Sequence, residues 1–394
     1  MRIDRLETIN LQYEYAEGFS YAGGHCTGRV TSLVLVHTDD GQVGIGSVYS
    51  HPVLVHLIVQ HQLAPLLIGK DPTDVESIWD LMYKITRWYG RKGVAMSALG
   101  AIDVACWDLR GKAAGKPVWS LLGGESGTCA AYASALLWND VESLATEAAG
   151  LIDQGFRRVK MRLGRDPQYD LAAVQAVRQA IGDNNDLLVD GSMRYDLETA
   201  RHFGHQLAEQ NIFWFEEPFQ PEDLDSYAAL RGTIDVPLAA GENEFGSQGF
   251  RELLRANTLD IVQPDASRCG GITEVQRVAE MAQQHGVRFA THSWSDAVAI
   301  IANAHVVSAH NHGITVEIDR TGNPFVDDLL VEPITVGDGC LQLSDAPGLG
   351  IELNEEVIQQ YRSQDPLAIP DGAYSDMVFG PQHYAPAPPF GSEG

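Results

Sequence analysis

From residue 129 onwards the chain repeats one pattern, a short apolar run that ends in a polar residue and is followed by a stretch with helical periodicity. The runs are residues 129–134, 158–162, 187–190, 213–216, 238–242, 261–265, 288–292 and 314–317. From the second run on, successive polar ends lie 23 to 28 residues apart, which is the length of one strand plus one crossover helix. Eight such units predict an α/β protein built on a closed (β/α)8-type barrel.

The segments that flank this repeat follow other patterns. Residues 2–12, 29–37 and 42–48 read as strands, with an Asp-Asp-Gly turn at 39–41, and residues 75–112 have helical spacing. Residues 1–122 are therefore predicted to form an α+β domain, and residues 123–320 the barrel. The Pro-, Gly- and Asp-rich segment of residues 321–394 is predicted to return to the first domain and to end in an irregular tail, to which we assign no function.

The charge balance excludes two kinds of partner. The chain has 53 acidic against 27 basic residues and a formal net charge of −26, so nucleic acid and anionic membrane surfaces would be repelled. The first residues do not read as a targeting sequence and no apolar run reaches the length of a membrane span, so we expect a cytoplasmic protein. The five cysteines are widely spaced without a CxxC pair, which predicts neither disulfides nor a zinc site.

Three carboxylates end three consecutive strands of the predicted barrel. Asp190, Glu216 and Glu242 would converge at the mouth, because the carboxyl ends of barrel strands lie on one face. Three acids in a partly buried pocket repel one another unless a cation neutralises them, and an all-oxygen set favours a hard ion such as Mg²⁺. The alternative, that each acid only caps the following helix, is reasonable for one strand end but does not explain three in matching phase.

Four further polar residues end neighbouring strands. Lys160 and Arg162 alternate on the second strand, so both are expected to face the mouth and to meet one anionic substrate. Asp265 and His292 end adjacent strands, where the carboxylate can hold the imidazole in one tautomer and raise its basicity. A lone histidine at a strand end is more often structural. With an acid beside it and a metal site opposite, we interpret His292 as a proton-transfer group.

With these residues the chain resembles the enolase superfamily, in its mandelate racemase subgroup. The resemblance covers the chain from the N-terminus to about residue 353. Its markers are the helix from Ser97 to Asp108 with Gly111-Lys112 and Gly115-Lys-Pro117, the Lys-x-Arg at 160–162, the acids Asp190, Glu216 and Glu242, and the Asp265/His292 pair with Glu317.

The resemblance implies an enolase-like modified barrel whose mouth is covered by a capping domain, built from the N-terminal region and the C-terminal segment. It also implies one Mg²⁺ per subunit, which binds the substrate carboxylate and stabilises the enediolate formed when the α-proton leaves. Bases would stand on both faces of the substrate, the second lysine of a Lys-x-Lys and the histidine of the Asp–His pair. Glu317 would match an acid that hydrogen-bonds a carboxylate oxygen.

Arg162 stands where that pattern has the catalytic lysine. A guanidinium with a pKa above about 12 is a poor base, so Arg162 is expected to grip a carboxylate or hydroxyl of the substrate. His292 then remains the principal acid and base, and Lys160 is either a second base or an electrostatic partner. This departure weakens a racemase reading, which needs a proton carrier on each face.

We therefore expect a lyase, an acid-sugar dehydratase of carbohydrate catabolism that yields a 2-keto-3-deoxy acid. The segment of residues 316–325 also resembles that of sugar-lactone cycloisomerases, which are isomerases and form the close alternative; a racemase or epimerase of a 2-hydroxy acid comes third. A non-catalytic binding or scaffold protein that keeps the barrel is a fourth hypothesis. Such a protein would be expected to lack one of the metal ligands or the histidine, but Asp190, Glu216, Glu242 and His292 are all present.

Substrate specificity is expected from capping-domain loops that close over the mouth. The loop predicted for residues 13–29 carries Tyr21, His25 and Arg29, and the turn at 49–51 carries His51. Polar groups there suit a hydroxyl-rich ligand, although most of them individually could be ordinary solvated loop residues. As relatives form symmetric assemblies, we also expect a homo-oligomer.

Overall fold

The computed structural model describes residues 1–390 and contains fourteen strands in that range, in an antiparallel sheet and a parallel barrel with an added hairpin. They are β1 (Ile3–Tyr21), β2 (Gly24–Thr38), β3 (Val43–Val48), β4 (Thr128–Ser134), β5 (Arg158–Arg162), β6 (Asp186–Asp190), β7 (Ile212–Glu216), β8 (Leu238–Ala240), β9 (Ile261–Val262), β10 (Arg288–Thr291), β11 (Gly313–Asp319), β12 (Val336–Gly337), β13 (Cys340–Gln342) and β14 (Met377–Val378).

The helices fall into a first group before β4, a second group around the barrel and short ones near the C-terminus. They are α1 (Pro52–Ile58), a π-helical turn (Val59–Leu63), α2 (Ala64–Leu67), α3 (Val75–Thr86), α4 (Val94–Ala114), α5 (Val118–Leu121), α6 (Val141–Asp153), α7 (Pro167–Ile181), α8 (Leu197–Ala208), α9 (Leu224–Leu230), α10 (Gly246–Ala256), α11 (Gly271–Gln284), α12 (Ala297–Ala309), α13 (Pro324–Asp327), α14 (Glu355–Tyr361) and a 3₁₀ turn (Gly380–Gln382).

The eight parallel strands β4 to β11 follow one another around the barrel, which closes where β11 pairs with β4. Helices α6 to α12 connect them on the outside. Below the mouth the interior is filled by Tyr132, Leu188, Trp214, Ala239, Ile261 and Ala290, so the barrel is a packed core and not a channel. The predicted fold class is confirmed.

The eighth βα unit is the exception to the repeat. Within residues 1–390, β11 is followed by the four-residue α13 and then by β12 and β13, which form a hairpin. β13 pairs antiparallel with the first half of β4, with Leu341 opposite Cys129. This part of the C-terminal segment therefore stays with the barrel, whereas α14 packs on β1 and β14 pairs with β2.

The first domain is an antiparallel sheet in which β2 is the central strand. β1 lies along one edge of β2, and β3 and β14 share the other. The region from Tyr13 to Arg29, predicted as a loop from its glycines, is the outer half of the β1–β2 hairpin. A Cβ on Gly18 or Gly28 would collide with a carbonyl oxygen of the opposite strand, so these glycines permit close pairing and do not mark a loop.

Helix α4 joins the two domains. Most of its residues are buried, on all sides of the helix, as expected for a helix that is apolar all round. Gly100 lets it approach the backbone at the start of α11, because a Cβ there would lie 2.7 Å from the nitrogen of Gly271. Trp107 donates a hydrogen bond to Thr273 of the same helix α11. The capping sheet is thereby fixed over the barrel.

The structure also bears on two expectations about the chain. All five cysteines are free thiols, and Cys340 is the least buried of them. Among the helices of residues 1–390, none combines the length and the apolar character that crossing a membrane would require.

A buried histidine links helix α12 to helix α5 and to the C-terminal segment. His305 on α12 accepts a hydrogen bond from the backbone nitrogen of Trp119 at Nδ1 (3.0 Å), so its Nε2 carries the proton and donates to the carbonyl of Leu349 (3.1 Å). Burial lowers the pKa of His305 from 6.5 to about 4. The ring is therefore neutral in the folded protein at neutral pH.

We predict that His305 makes the protein lose stability on mild acidification. Below pH 6.5 the unfolded chain binds a proton at this residue and the folded chain does not until about pH 4, so the free energy of unfolding falls by roughly 3 kcal/mol across that window. The slope of stability against pH, measured by urea denaturation, should be shallower for His305→Gln. Exposed His202→Gln should keep the wild-type slope; parallel curves for wild type and His305→Gln would contradict the prediction.

Candidate active site

Three carboxylates meet at the mouth of the barrel, as their strand positions predict. Asp190 and Glu216 are the last residues of β6 and β7, and Glu242 follows β8 by two residues. One oxygen from each lies within 4.8 Å of the others. Asp190 and Glu216 are buried, whereas the side chain of Glu242 remains 19% exposed towards the cavity.

This cluster fits a hard divalent cation. It offers only carboxylate oxygens, the donors that Mg²⁺ prefers. Oxygen Oε2 of Glu242 is shielded from solvent and accepts no hydrogen bond, although such buried atoms are normally satisfied. The other two acids are oriented by the chain, since Oδ1 of Asp190 accepts from the backbone nitrogen of Ser192 (2.7 Å) and Oε2 of Glu216 accepts from the indole of Trp214 (2.9 Å).

Lys160 lies beneath the carboxylates and not in the cavity. Its side chain is fully buried, with Nζ 2.6 Å from Glu216, 2.9 Å from Glu317 and 3.8 Å from Asp190. The ring of Tyr132 lies on its other side, 5.3 Å away. The sequence left Lys160 two roles, a second base or an electrostatic partner. The structure places it one step of the strand alternation deeper than Arg162, next to three of the acids, which favours the electrostatic role.

Arg162 is the cation that lines the cavity. It contacts Asp190, and its guanidinium stacks on the ring of Trp294 at 4.9 Å. Burial lowers the pKa of Arg162, but the carboxylates of Glu242, Glu317 and Glu216 outweigh burial and raise it above the usual value. The guanidinium is therefore permanently protonated and suited to binding an anion.

His292 lines the same cavity as Arg162 and is held by Asp265. Nδ1 lies 2.7 Å from Asp265, whose other oxygen accepts from Ser267 and Asn303. The carboxylate therefore fixes Nδ1 as the protonated nitrogen and leaves Nε2 facing Glu242 (3.6 Å) and Glu317 (3.8 Å). Burial lowers the pKa of His292, but Glu242, Glu317 and Asp265 raise it to about 9, so the imidazole is a stronger base than a free histidine.

Glu317, on the last barrel strand, is the remaining charged residue of the site and lies near Lys160 and His292. It is fully buried on β11 and accepts a hydrogen bond from the backbone nitrogen of Ser293 (2.9 Å). Burial raises its pKa, but the cations Lys160, His292 and Arg162 outweigh burial and lower it below the usual value. Glu317 is therefore ionised and can only accept hydrogen bonds.

The cavity in front of these groups measures about 700 Å³ with its open mouth. The structure places one predicted loop residue, Tyr21, in its wall, but neither His25 nor His51. His25 is paired with Ser20 on the hairpin (3.0 Å), and His51 precedes α1 beside a separate surface groove.

Arg29 has a different environment from the one predicted for a substrate contact. It is buried, forms ion pairs with Asp319 (2.7 Å) and Asp376 (3.0 Å), and does not line the cavity. A strand position inside the hairpin, and not a solvated loop, accounts for this burial.

Two wall residues, Phe19 and Tyr49, lie within the predicted loop 13–29 and turn 49–51, although Phe19 was not singled out there. Other wall residues were not predicted from the sequence, among them Leu137, Asn243, Arg268, Trp294, Tyr374, Met377 and Tyr384. Trp294 could have been inferred from its two-residue spacing after His292. The three wall residues from the tail, Tyr374, Met377 and Tyr384, carried no recognisable signal.

Comparison with known proteins gives the family. Residues 19–123 match the N-terminal domain model of the mandelate racemase / muconate lactonizing enzyme family, and residues 143–357 match the enolase C-terminal domain-like model. The chain is similar to D-galactarolactone cycloisomerase of Agrobacterium fabrum, with 35% identity over 93% of this chain and 100% of that protein. It is also similar to arabinonate dehydratase of Saccharolobus solfataricus, with 33% identity over 83% of this chain and 89% of that protein.

A solved structure shows the same architecture. The crystal structure of a racemase from Streptomyces coelicolor with bound magnesium superposes with a TM-score of 0.85 and 29% identity, covering 92% of this chain and 100% of that one. The family matches span the capping domain and most of the barrel, and they confirm the resemblance seen in the sequence. The chain is an enzyme of the enolase superfamily, in the mandelate racemase and muconate lactonizing enzyme group.

Proposed function

We propose that the protein is a Mg²⁺-dependent lyase that removes the α-proton of an acid sugar and expels the 3-hydroxyl, giving a 2-keto-3-deoxy acid. The observation that carries the proposal is that two kinds of group meet in one cavity. Three carboxylates can hold a cation, and beside them an Asp-held histidine presents Nε2, which lies 3.6 Å from Glu242. The relatives support an acid-sugar substrate, since they include a dehydratase and a cycloisomerase of this kind. We further expect a cytoplasmic homo-oligomer.

Charge sets the requirements of this reaction. An α-proton next to a carboxylate is very weakly acidic, because its loss puts a second negative charge on the substrate. Mg²⁺ held by Asp190, Glu216 and Glu242 would supply the positive charge that stabilises this anion. Arg162, on the cavity wall, can bind a carboxylate or hydroxyl oxygen of the substrate beside it.

Proton transfer is assigned to His292. Its Nε2 can take the C2 proton while Asp265 stabilises the imidazolium at Nδ1. Lys160 is buried below the cavity wall and Arg162 on that wall remains protonated, so β5 presents no catalytic lysine to the substrate. The same imidazolium can then protonate the departing 3-hydroxyl, which requires the proton and the hydroxyl to leave from the face that His292 occupies.

A cycloisomerase is the second candidate, and a specific observation favours it. The A. fabrum relative that covers 93% of this chain is a D-galactarolactone cycloisomerase. That reaction begins with the same proton abstraction and expels a ring oxygen instead of a hydroxyl. Incubation with aldonates, aldarates and their lactones, followed by NMR of the products, separates the two candidates: dehydration consumes the open acid, whereas cycloisomerisation consumes only the lactone.

We predict that the metal site is required for catalysis. Glu216→Gln or removal of metal by chelation should lower α-proton exchange by roughly 10³-fold or more, since a cation at this position supplies several kcal/mol of charge stabilisation. Added Mg²⁺ or Mn²⁺ should restore the chelated wild type but not the variant, and exposed Glu209→Gln should behave as wild type. Full activity of metal-free protein would overturn the proposal.

We predict that proton transfer depends on His292. His292→Asn should slow dehydration by at least about 10² to 10⁴-fold, the usual contribution of a positioned acid or base, and Asp265→Asn should act in the same direction with a smaller effect. Steady-state kinetics with an acid sugar, beside the exposed control His202→Asn, measure this. Rapid interconversion of C2 epimers by wild type without loss of water would instead indicate a racemase.

We predict that Lys160 acts through charge and not as a second base. Lys160→Met leaves Glu216 and Glu317 without their buried partner, so exchange of the C2 proton in D₂O should slow for both C2 epimers to a similar extent. NMR of the exchange at saturating Mg²⁺, with exposed Lys84→Met as the control, reports both rates. Selective loss of exchange on one epimer would identify Lys160 as a base.

A further inference from the structure

The end of the chain crosses the mouth of the active site. We define residues 374–390 as the C-terminal strap. It leaves the capping sheet through β14, where Met377 pairs with Arg29, and it then runs along the tip of the β1–β2 hairpin. There the backbone nitrogens of Ala385 and Ala387 donate to the carbonyls of Gly23 (3.2 Å) and Ala22 (3.0 Å).

The far end of the strap is attached to the barrel. The backbone nitrogen of Phe390 donates to the carbonyl of Arg194 (2.7 Å). The Phe390 ring lies under the guanidinium of Arg194 (4.3 Å) and packs edge-on against Tyr195 (5.2 Å). Both partners lie on the loop that follows β6, so the strap connects the cap with the loop directly after the proposed metal ligand Asp190.

The strap supplies three side chains to the cavity wall. Tyr374 and Tyr384 stack on each other with ring centres 4.2 Å apart, and Met377 lies beside them. They line the same cavity as Arg162 and His292. A Cβ on Gly23 would collide with the ring of Tyr384, so a glycine at the hairpin tip allows this wall to close.

A buried cation holds the strap in this position. Arg29 binds Asp376 of the strap (3.0 Å) and Asp319 at the end of β11 (2.7 Å). The guanidinium of Arg29 also lies over the ring of Trp294 (5.1 Å), and Arg162 lies over the same ring (4.9 Å). Arg29, which holds the strap, and Arg162, which is assigned to the substrate's anionic end, thus contact the same aromatic ring.

We propose that the strap is a specificity wall, in which Tyr374 and Tyr384 contact the carbons of the acid sugar beyond C3. This rests on the proposed function, which places the carboxylate at the acidic cluster and Arg162, and C2 near His292. The carbons that extend away from that end must pass the remaining wall. Stacked tyrosines offer apolar faces for the C–H groups of a polyol or sugar ring and hydroxyls for its oxygens, so they favour a substrate long enough to reach them.

Binding measured without turnover tests the proposal. In the His292→Asn background with saturating Mg²⁺, isothermal titration calorimetry gives the affinity for gluconate, galactonate, galactarate and three-carbon glycerate. For the six-carbon acid that binds most tightly, Tyr374→Ala and Tyr384→Ala should each weaken binding about tenfold or more, while glycerate and Mg²⁺ binding stay within about twofold. Phe390→Ala, which frees the end of the strap without altering the wall residues, should act in the same direction. Tyr89→Ala, an exposed tyrosine of the capping domain, is the matched control.

The possible results separate this proposal from the proposed function. Unchanged six-carbon affinity in both tyrosine variants, or an equal loss for glycerate, would overturn the specificity wall and leave the proposed function intact. A loss of Mg²⁺ binding, or of the circular dichroism of the wild type, would assign the tyrosines to the fold and also overturn the wall. If no acid binds before the strap is altered, the proposed function fails and the wall with it.

Discussion

Four carboxylates share the mouth of the barrel, and the mutual repulsion of their charges governs what surrounds them. Asp190, Glu216, Glu242 and Glu317 could not all stay ionised in a buried pocket without nearby positive charge. The chain supplies part of that charge from below through Lys160 and part from the wall through Arg162. A divalent cation held by three of the acids would add to this balance, so metal affinity and the stability of the site would depend on the same interaction.

The positions of these groups could be predicted because they depend on strand ends. In a closed parallel barrel the last residue of each strand reaches the same face, so periodicity in the sequence was sufficient to bring Asp190, Glu216, Glu242 and His292 together. Depth within the barrel was harder to predict. Lys160 and Arg162 share one side of β5, but two residues along a strand correspond to roughly 7 Å, which separates a buried counter-ion from a cavity residue.

The rest of the wall depended on contacts between distant parts of the chain. Arg29 looked like a polar loop residue because its partners Asp319 and Asp376 lie about 290 and 350 positions away. An ion pair between residues so far apart cannot be predicted from the local sequence pattern. The tail looked irregular for the same reason, since residues 385, 387 and 390 donate backbone hydrogen bonds to the hairpin tip and to a barrel loop, which are distant in sequence. Contacts of this kind leave no periodicity in the sequence from which they could be predicted.

The number and placement of proton-transfer residues bear on whether the site would catalyse racemisation or elimination. A racemase must remove and return a proton on opposite faces of one carbon, so it needs a base on each side. In this wall the residue in the position of the second lysine is Arg162, a guanidinium stacked on Trp294, which binds oxygen and does not exchange protons near neutral pH. On the proposed function, in which His292 alone carries the proton, the site would favour reactions in which the carbanion is consumed by loss of a neighbouring leaving group before it can be reprotonated. Arginine in place of lysine at this strand position would therefore bias a shared architecture towards elimination.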